Sequence, residues 1–91
     1  MAVVIIKLKI MPDSPDANLE TRKADVFELI TSMGGHPNHS EIQEVAFGLK
    51  ALLVNYSIDE NKGDTEPLEE AIAALDDVQG VEVTSVSRAL G

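Results

Sequence analysis

The segment Leu49-Lys50-Ala51-Leu52-Leu53-Val54-Asn55-Tyr56-Ser57-Ile58 decides the fold. Its centre, Ala51-Leu52-Leu53-Val54, is apolar on both parities, so a strand here has no face suited to water and belongs inside a sheet. Downstream, Asp59–Asp64 is a charged turn containing Gly63. Thr65 then stands at the N-cap of a helix with Pro67 in its first turn. Leu68, Ala71, Ile72 and Leu75 follow the i, i+3, i+4, i+7 pattern of a helix with one apolar face. Asp76–Gly80 ends that helix, and Val81–Arg88 is the last strand, with Val81 and Val83 on one face.

Upstream of the deciding segment, Val45–Gly48 is a connection. His36–Glu44 is a polar strand suited to a sheet edge. Before it runs a helix that Asn18 caps and Gly34-Gly35 stop, with Leu19, Val26, Phe27, Ile30 and Met33 at helical spacing. Pro12–Ala17 is a stiff turn of prolines and aspartates. Ala2–Met11 is the first strand, with Val4, Ile6, Leu8 and Ile10 on one face and Lys7 and Lys9 on the other. The order β-α-β-β-α-β predicts an α+β, ferredoxin-like split βαβ sandwich: a four-stranded antiparallel sheet with two helices on one face. Taking the strands to alternate in direction along the chain, the connection after the second strand and the end of the fourth should share one end of the sheet. They would then be about 14 Å apart across three strand spacings.

Composition narrows the function. The chain has 91 residues, 44% hydrophobic, and reads as a single domain over 1–91. Seven Lys and Arg against sixteen Asp and Glu give a net charge of −9, which excludes phosphate-led binding of nucleic acid and favours basic protein surfaces or cations. No cysteine is present, so disulfides, thiolate metal sites and a cysteine nucleophile are excluded. Met1–Met11 has lysines within its apolar run and no cleavage-site pattern. No apolar stretch approaches the roughly 20 residues of a membrane span. The expectation is a cytoplasmic protein with no membrane partner.

Little here has the makings of catalysis. His36 and His39 flank Pro37 with no third ligand nearby in sequence. Asp59-x-Asn61-x-Gly63-Asp64 with Glu70 imitates a calcium loop but has glycine at a ligand position and aspartate where the sharp turn needs glycine. The loop Met11-Pro12-Asp13-Ser14-Pro15-Asp16 is acidic and repels phosphate. Asp13 and Asp16 suit turn and capping roles. Phe27 falls in a helix stripe, and Tyr56 alone makes no stacking platform. Neither catalytic residues, metal nor cofactor are expected. Two residues stand apart. Phe47, between Ala46 and Gly48, fits no stripe, and either anchors a partner's pocket or closes the end of the core. Arg88 is the only basic residue after Lys62, and is either functional or an ordinary surface arginine.

These residues also carry a resemblance. Ile10-Met11-Pro12-Asp13-Ser14-Pro15-Asp16, Glu44-Val45-Ala46-Phe47-Gly48-Leu49-Lys50, Leu68-Glu69-Glu70 and Val78-Gln79-Gly80-Val81-Glu82-Val83 closely resemble the short archaeal form of the elongation factor 1-beta family, over nearly the whole chain. That family exchanges guanine nucleotide on elongation factor 1-alpha. The resemblance implies the split βαβ fold and elongation factor 1-alpha as partner. It implies partner binding through Ala46, Phe47 and Gly48, with Phe47 entering a pocket on the GTPase. It also implies a role for Arg88 at the position of a near-terminal basic residue, which in eukaryotic members is a lysine reaching toward the nucleotide's magnesium site. Lysine is a compact point charge and arginine a planar fork, so the two need not occupy the same cavity. The competing expectation is a small-molecule-binding regulatory module of the same fold that dimerises through its sheet. A small phosphate-ester enzyme is disfavoured by the acidic first loop.

Overall fold

In the computed structural model, which describes residues 3–14, 18–45, 48–62 and 65–89, the doubly apolar segment lies inside a four-stranded sheet. The elements are β1 (Val3–Pro12), α1 (Leu19–Ser32), β2 (His36–Glu44), β3 (Lys50–Asp59), a single 3-10 turn (Glu60–Lys62), α2 (Glu66–Ala73) and β4 (Val78–Ala89). The strand order is β2-β3-β1-β4, and every neighbouring pair is antiparallel. This is the ferredoxin-like arrangement, with polar β2 at one edge as its composition predicts.

The core lies between the sheet and the two helices. Ile6, Leu8 and Ile10 of β1 face it with Leu52, Val54, Tyr56 and Ile58 of β3. Leu19, Val26 and Ile30 of α1 and Leu68 and Ile72 of α2 close it from the other side. Phe27 and Met33 are half-buried against the same cluster, as are Val81 and Val83 of β4. Asn18 caps α1, its Oδ1 accepting the Thr21 N–H at 3.1 Å. Gly34, at φ 89°, ends it in the left-handed conformation that glycine adopts without penalty. Arg22 ties α1 to the segment after α2: its Nη1 donates to the Asp76 carbonyl at 3.1 Å while Nη2 pairs with Asp25 at 3.3 Å.

Three local expectations are corrected. Thr65 occupies the N-cap of α2 but makes no capping bond, and its hydroxyl donates to Glu69 Oε2 at 3.0 Å instead. Pro67 lies at the second helical position and has no N–H, so one of the two amides a cap serves is missing. β4 starts at Val78, before Gly80, because Val78 and Gly80 pair with Pro12 and Met11 of β1. The chain turns instead at Asp77, whose φ of 65° is one that aspartate tolerates better than most residues, and whose carbonyl accepts the Asp13 N–H at 2.9 Å. Finally, the strands do not alternate along the chain. Both β1 and β2 run antiparallel to β3, so β1 and β2 are parallel. The crossover helix itself carries the chain back, so a strand–helix–strand unit returns in the same direction.

Gly35 and Tyr56 meet where the chain leaves α1. A Cβ on Gly35 would stand 2.8 Å from Ile30 Cγ2 and 3.3 Å from Tyr56 Cδ2, both in the packed core. Gly35→Ala is expected to destabilise the fold by about 1–3 kcal/mol in urea unfolding. Burial, and secondarily the Glu69 carboxylate, push the Tyr56 phenol from 10.0 up to about 12. The folded state therefore disfavours phenolate. The stabilisation is complete below pH 10, where the unfolded phenol titrates, and is lost as pH rises through the folded value of about 12. Unfolding free energy is expected to fall by about 2–3 kcal/mol more across that interval in the parent chain than in Tyr56→Phe.

Candidate functional site

The β2–β3 connection is closed tightly at its base. Glu44 is paired with Lys50, and the Val45 N–H donates to the Leu49 carbonyl at 2.8 Å. Gly48 has φ 76° and nothing within 4 Å of where a Cβ would stand. Glycine is thus required there by backbone conformation and not by crowding. Ala46 and Phe47, the other two residues singled out in this loop, lie outside the described residues.

A groove opens beside this connection, between the start of α1 and the end of β2. Its first hollow, about 240 Å³, is lined by Pro12, Ser14, Asn18, Leu19, Ile42 and Lys50, among others. A second, of about 190 Å³, shares Leu19 and Ile42 and reaches Leu52 and Ser40. Ile42 is 45% exposed, the one large aliphatic side chain in the otherwise polar β2. Apolar Leu19 and Ile42 thus share the groove with charged side chains, Glu20 and Lys50 at one hollow and Lys23 and Glu41 at the other.

Arg88 lies elsewhere. It pairs with Val4 of β1, which pairs on its other side with Ile58 of β3. From the Lys50 row to the Ile58 row the sheet extends eight residues, about 27 Å, and β4 lies three spacings, about 14 Å, from β2. The expectation that Arg88 and the Ala46-Phe47-Gly48 connection share one end of the sheet is thus wrong, for the parallel sense of β1 and β2 given above. Arg88 and the described flanks of that connection stand about 30 Å apart, on a diagonal of the sheet.

A bulge sets which face Arg88 occupies. The register with β1 shifts between Lys7 and Leu8, so Lys7 faces Ser85 while Leu8 faces Val83, leaving Thr84 unpaired; its hydroxyl donates to the Lys7 carbonyl at 3.3 Å. Simple alternation from Val81 and Val83 would turn position 88 to the helix-free face. The extra residue turns it to the helix side, in the row of Val4 and Ile58. There the Arg88 guanidinium forms an ion pair with Glu60, the first residue of the 3-10 turn, and both side chains are substantially exposed. Sequence reasoning did not find Glu60. It is 28 positions from Arg88, and no spacing rule joins them.

His36 and His39 are exposed on β2, opposite Ser57 and Asn55. Among the described residues no group of three or more His, Cys, Asp or Glu could hold a metal. Asp59 Oδ1 accepts the Asn61 N–H at 2.8 Å, a local turn cap. Tyr56 is buried in the core, away from the open face of the sheet. No helix among the described residues is long and apolar enough to cross a membrane.

Comparison with known proteins bears on the whole chain. Residues 5–89 match the family described as the EF-1 guanine nucleotide exchange domain. Elongation factor 1-beta of Methanococcus aeolicus is 42% identical over 87 residues, covering 96% of this chain and 98% of its own. The proteins of the same name from Halobacterium salinarum and Methanocaldococcus jannaschii are 43% and 38% identical, covering 97% and 98% of this chain and 99% and 100% of their own. Among solved structures, LarC2, the C-terminal domain of a cyclometallase involved in synthesis of the NPN cofactor of lactate racemase, superimposes with a TM-score of 0.66 over 99% of this chain. At 14% identity that likeness concerns the fold alone, and this chain spans 58% of the LarC2 chain.

Proposed function

The chain belongs to the EF-1 guanine nucleotide exchange domain family, and from that membership we propose that it releases GDP from elongation factor 1-alpha and lets GTP enter during translation elongation. The observation that carries this reading is the end-to-end match: the family covers residues 5–89, and archaeal relatives named elongation factor 1-beta align over nearly their full length. The whole chain, residues 1–91, then acts as one exchange module in the cytoplasm. Family membership does not favour the small-molecule regulatory module.

The partner GTPase holds GDP through a phosphate loop and a magnesium ion. Loss of favourable charge around the diphosphate speeds release, and a thousandfold acceleration requires about 4 kcal/mol off the barrier. Phe47 and its neighbours Ala46 and Gly48 supply the anchor, an aromatic side chain entering a pocket on the GTPase. Arg88 supplies the charge, competing for the anionic groups that hold nucleotide and metal. With Arg88 about 30 Å from the flanks of the anchoring connection, the factor grips its partner at two separated points instead of at one patch. Coupling is reciprocal: a factor that weakens nucleotide binding is itself weakened by nucleotide, so incoming GTP ejects it. No covalent bond is made or broken, and the protein is not an enzyme in the chemical sense. Its charge of −9 steers it toward a basic surface, so added salt slows association.

Release of a fluorescent GDP analogue from elongation factor 1-alpha, chased with GTP, tests the reading. Acceleration at substoichiometric factor is the expected result, and no acceleration of an active partner discards it. Phe47→Ala is expected to weaken complex formation by about 2 kcal/mol or more, roughly 30-fold, with thermal unfolding unchanged. A full exchange rate at limiting factor would remove Phe47 from the interface. Arg88→Ala is expected to slow exchange at saturating factor more than it weakens binding, whereas equal losses would make Arg88 a simple contact.

A further inference from the structure

We propose that Glu60 is an internal counter-ion of Arg88 that the partner must displace before the arginine can act, so that Glu60 restrains exchange. The inference rests on the part assigned to Arg88 above. Its basis is the arrangement at the far end of the sheet. β3 and β4 share no hydrogen bonds, because β1 lies between them. The Arg88–Glu60 pair reaches from β4 to the turn that follows β3, past the row in which Val4 separates Arg88 from Ile58. Holding this pair draws the guanidinium sideways over β1 instead of out beyond the end of β4.

The local chemistry makes Glu60 the available carboxylate. Neighbouring Asp59 is engaged by the Asn61 N–H through its own turn. The bulge at Thr84 places Arg88 on the helix-facing side, where Glu60 meets it. The side chains are 60% and 40% exposed, so the pair is a surface ion pair, and one of that kind changes an equilibrium by no more than about fivefold, 1 kcal/mol. Water solvates the freed carboxylate at little cost. An anionic group on the partner then takes its place on the planar fork of the guanidinium. The guanidinium is thus paired in both the free and the bound state, with an anionic acceptor on the partner exchanging for Glu60.

The test is GDP-analogue release from elongation factor 1-alpha at limiting factor, comparing the parent chain with Glu60→Gln, Arg88→Gln and the double variant. Glu28→Gln, at an exposed carboxylate of α1, controls for net charge. Glu60→Gln is expected to raise exchange efficiency two- to fivefold at low ionic strength, with the gain shrinking as salt screens the pair. Glu28→Gln is expected to give no gain of that size, and the double variant to match Arg88→Gln alone. Arg88→Gln impaired but Glu60→Gln unchanged or slower would overturn the restraint and leave the reading of Arg88 standing. A gain from Glu60→Gln that persists in the double variant would overturn it too. Arg88→Gln with full activity would overturn both.

Discussion

Burial of β3 on its flanks and on one face is the constraint from which the rest of the structure follows. A strand apolar on both parities cannot lie at an edge, so it must be flanked on both sides. Here β1 and polar β2 flank it, and Leu52, Val54, Tyr56 and Ile58 fill the space beneath the helices. Inserting β3 between β1 and β2 splits the first strand–helix–strand unit and leaves β1's other edge for β4. The two helices then have one face to cover, and their buried residues, Leu19, Val26 and Ile30 with Leu68 and Ile72, meet the same cluster. Close approach follows as well: Gly35 leaves α1 within 3.3 Å of the Tyr56 ring if given a side chain, so the chain has room there only for glycine.

That topology also distributes the candidate site residues. The parallel sense of β1 and β2 carries the base of the β2–β3 connection to one end of the sheet, beside the groove of Leu19 and Ile42. The antiparallel sense of β4 carries Arg88 to the other. Under the proposed roles, the group that would hold the partner is separated from the group that would perturb its charges. Binding energy gathered at one point can then support an unfavourable displacement at the other, without both tasks falling on one set of contacts.

Electrostatics reinforces the division. In a chain of net charge −9, Arg88 is the only basic residue after Lys62. Arg88 finds Glu60 within the chain. Under the proposed function, the net charge of −9 gives long-range attraction to a basic partner.

Most of the architecture was legible in the amino-acid order because it depends on local patterns. Alternation in Val4–Ile10, both parities in Ala51–Val54, helical spacing in Leu68–Leu75, the Asn18 cap and Gly34 each reflect a period or a backbone preference confined to a few residues. The tight connection at Gly48 and the polar edge strand belong to the same class. What only the tertiary structure decided is everything that depends on how distant segments pair. Strand sense required the path of the crossover helix. The start of β4 at Val78 required pairing with Pro12, which outweighed the turn signal of Gly80. The face of Arg88 required the bulge opposite Lys7 and Leu8, since one unpaired residue inverts every later side chain on the strand. Its ion pair with Glu60 then required both, because a contact between residues 28 positions apart exists only once the sheet between them has formed.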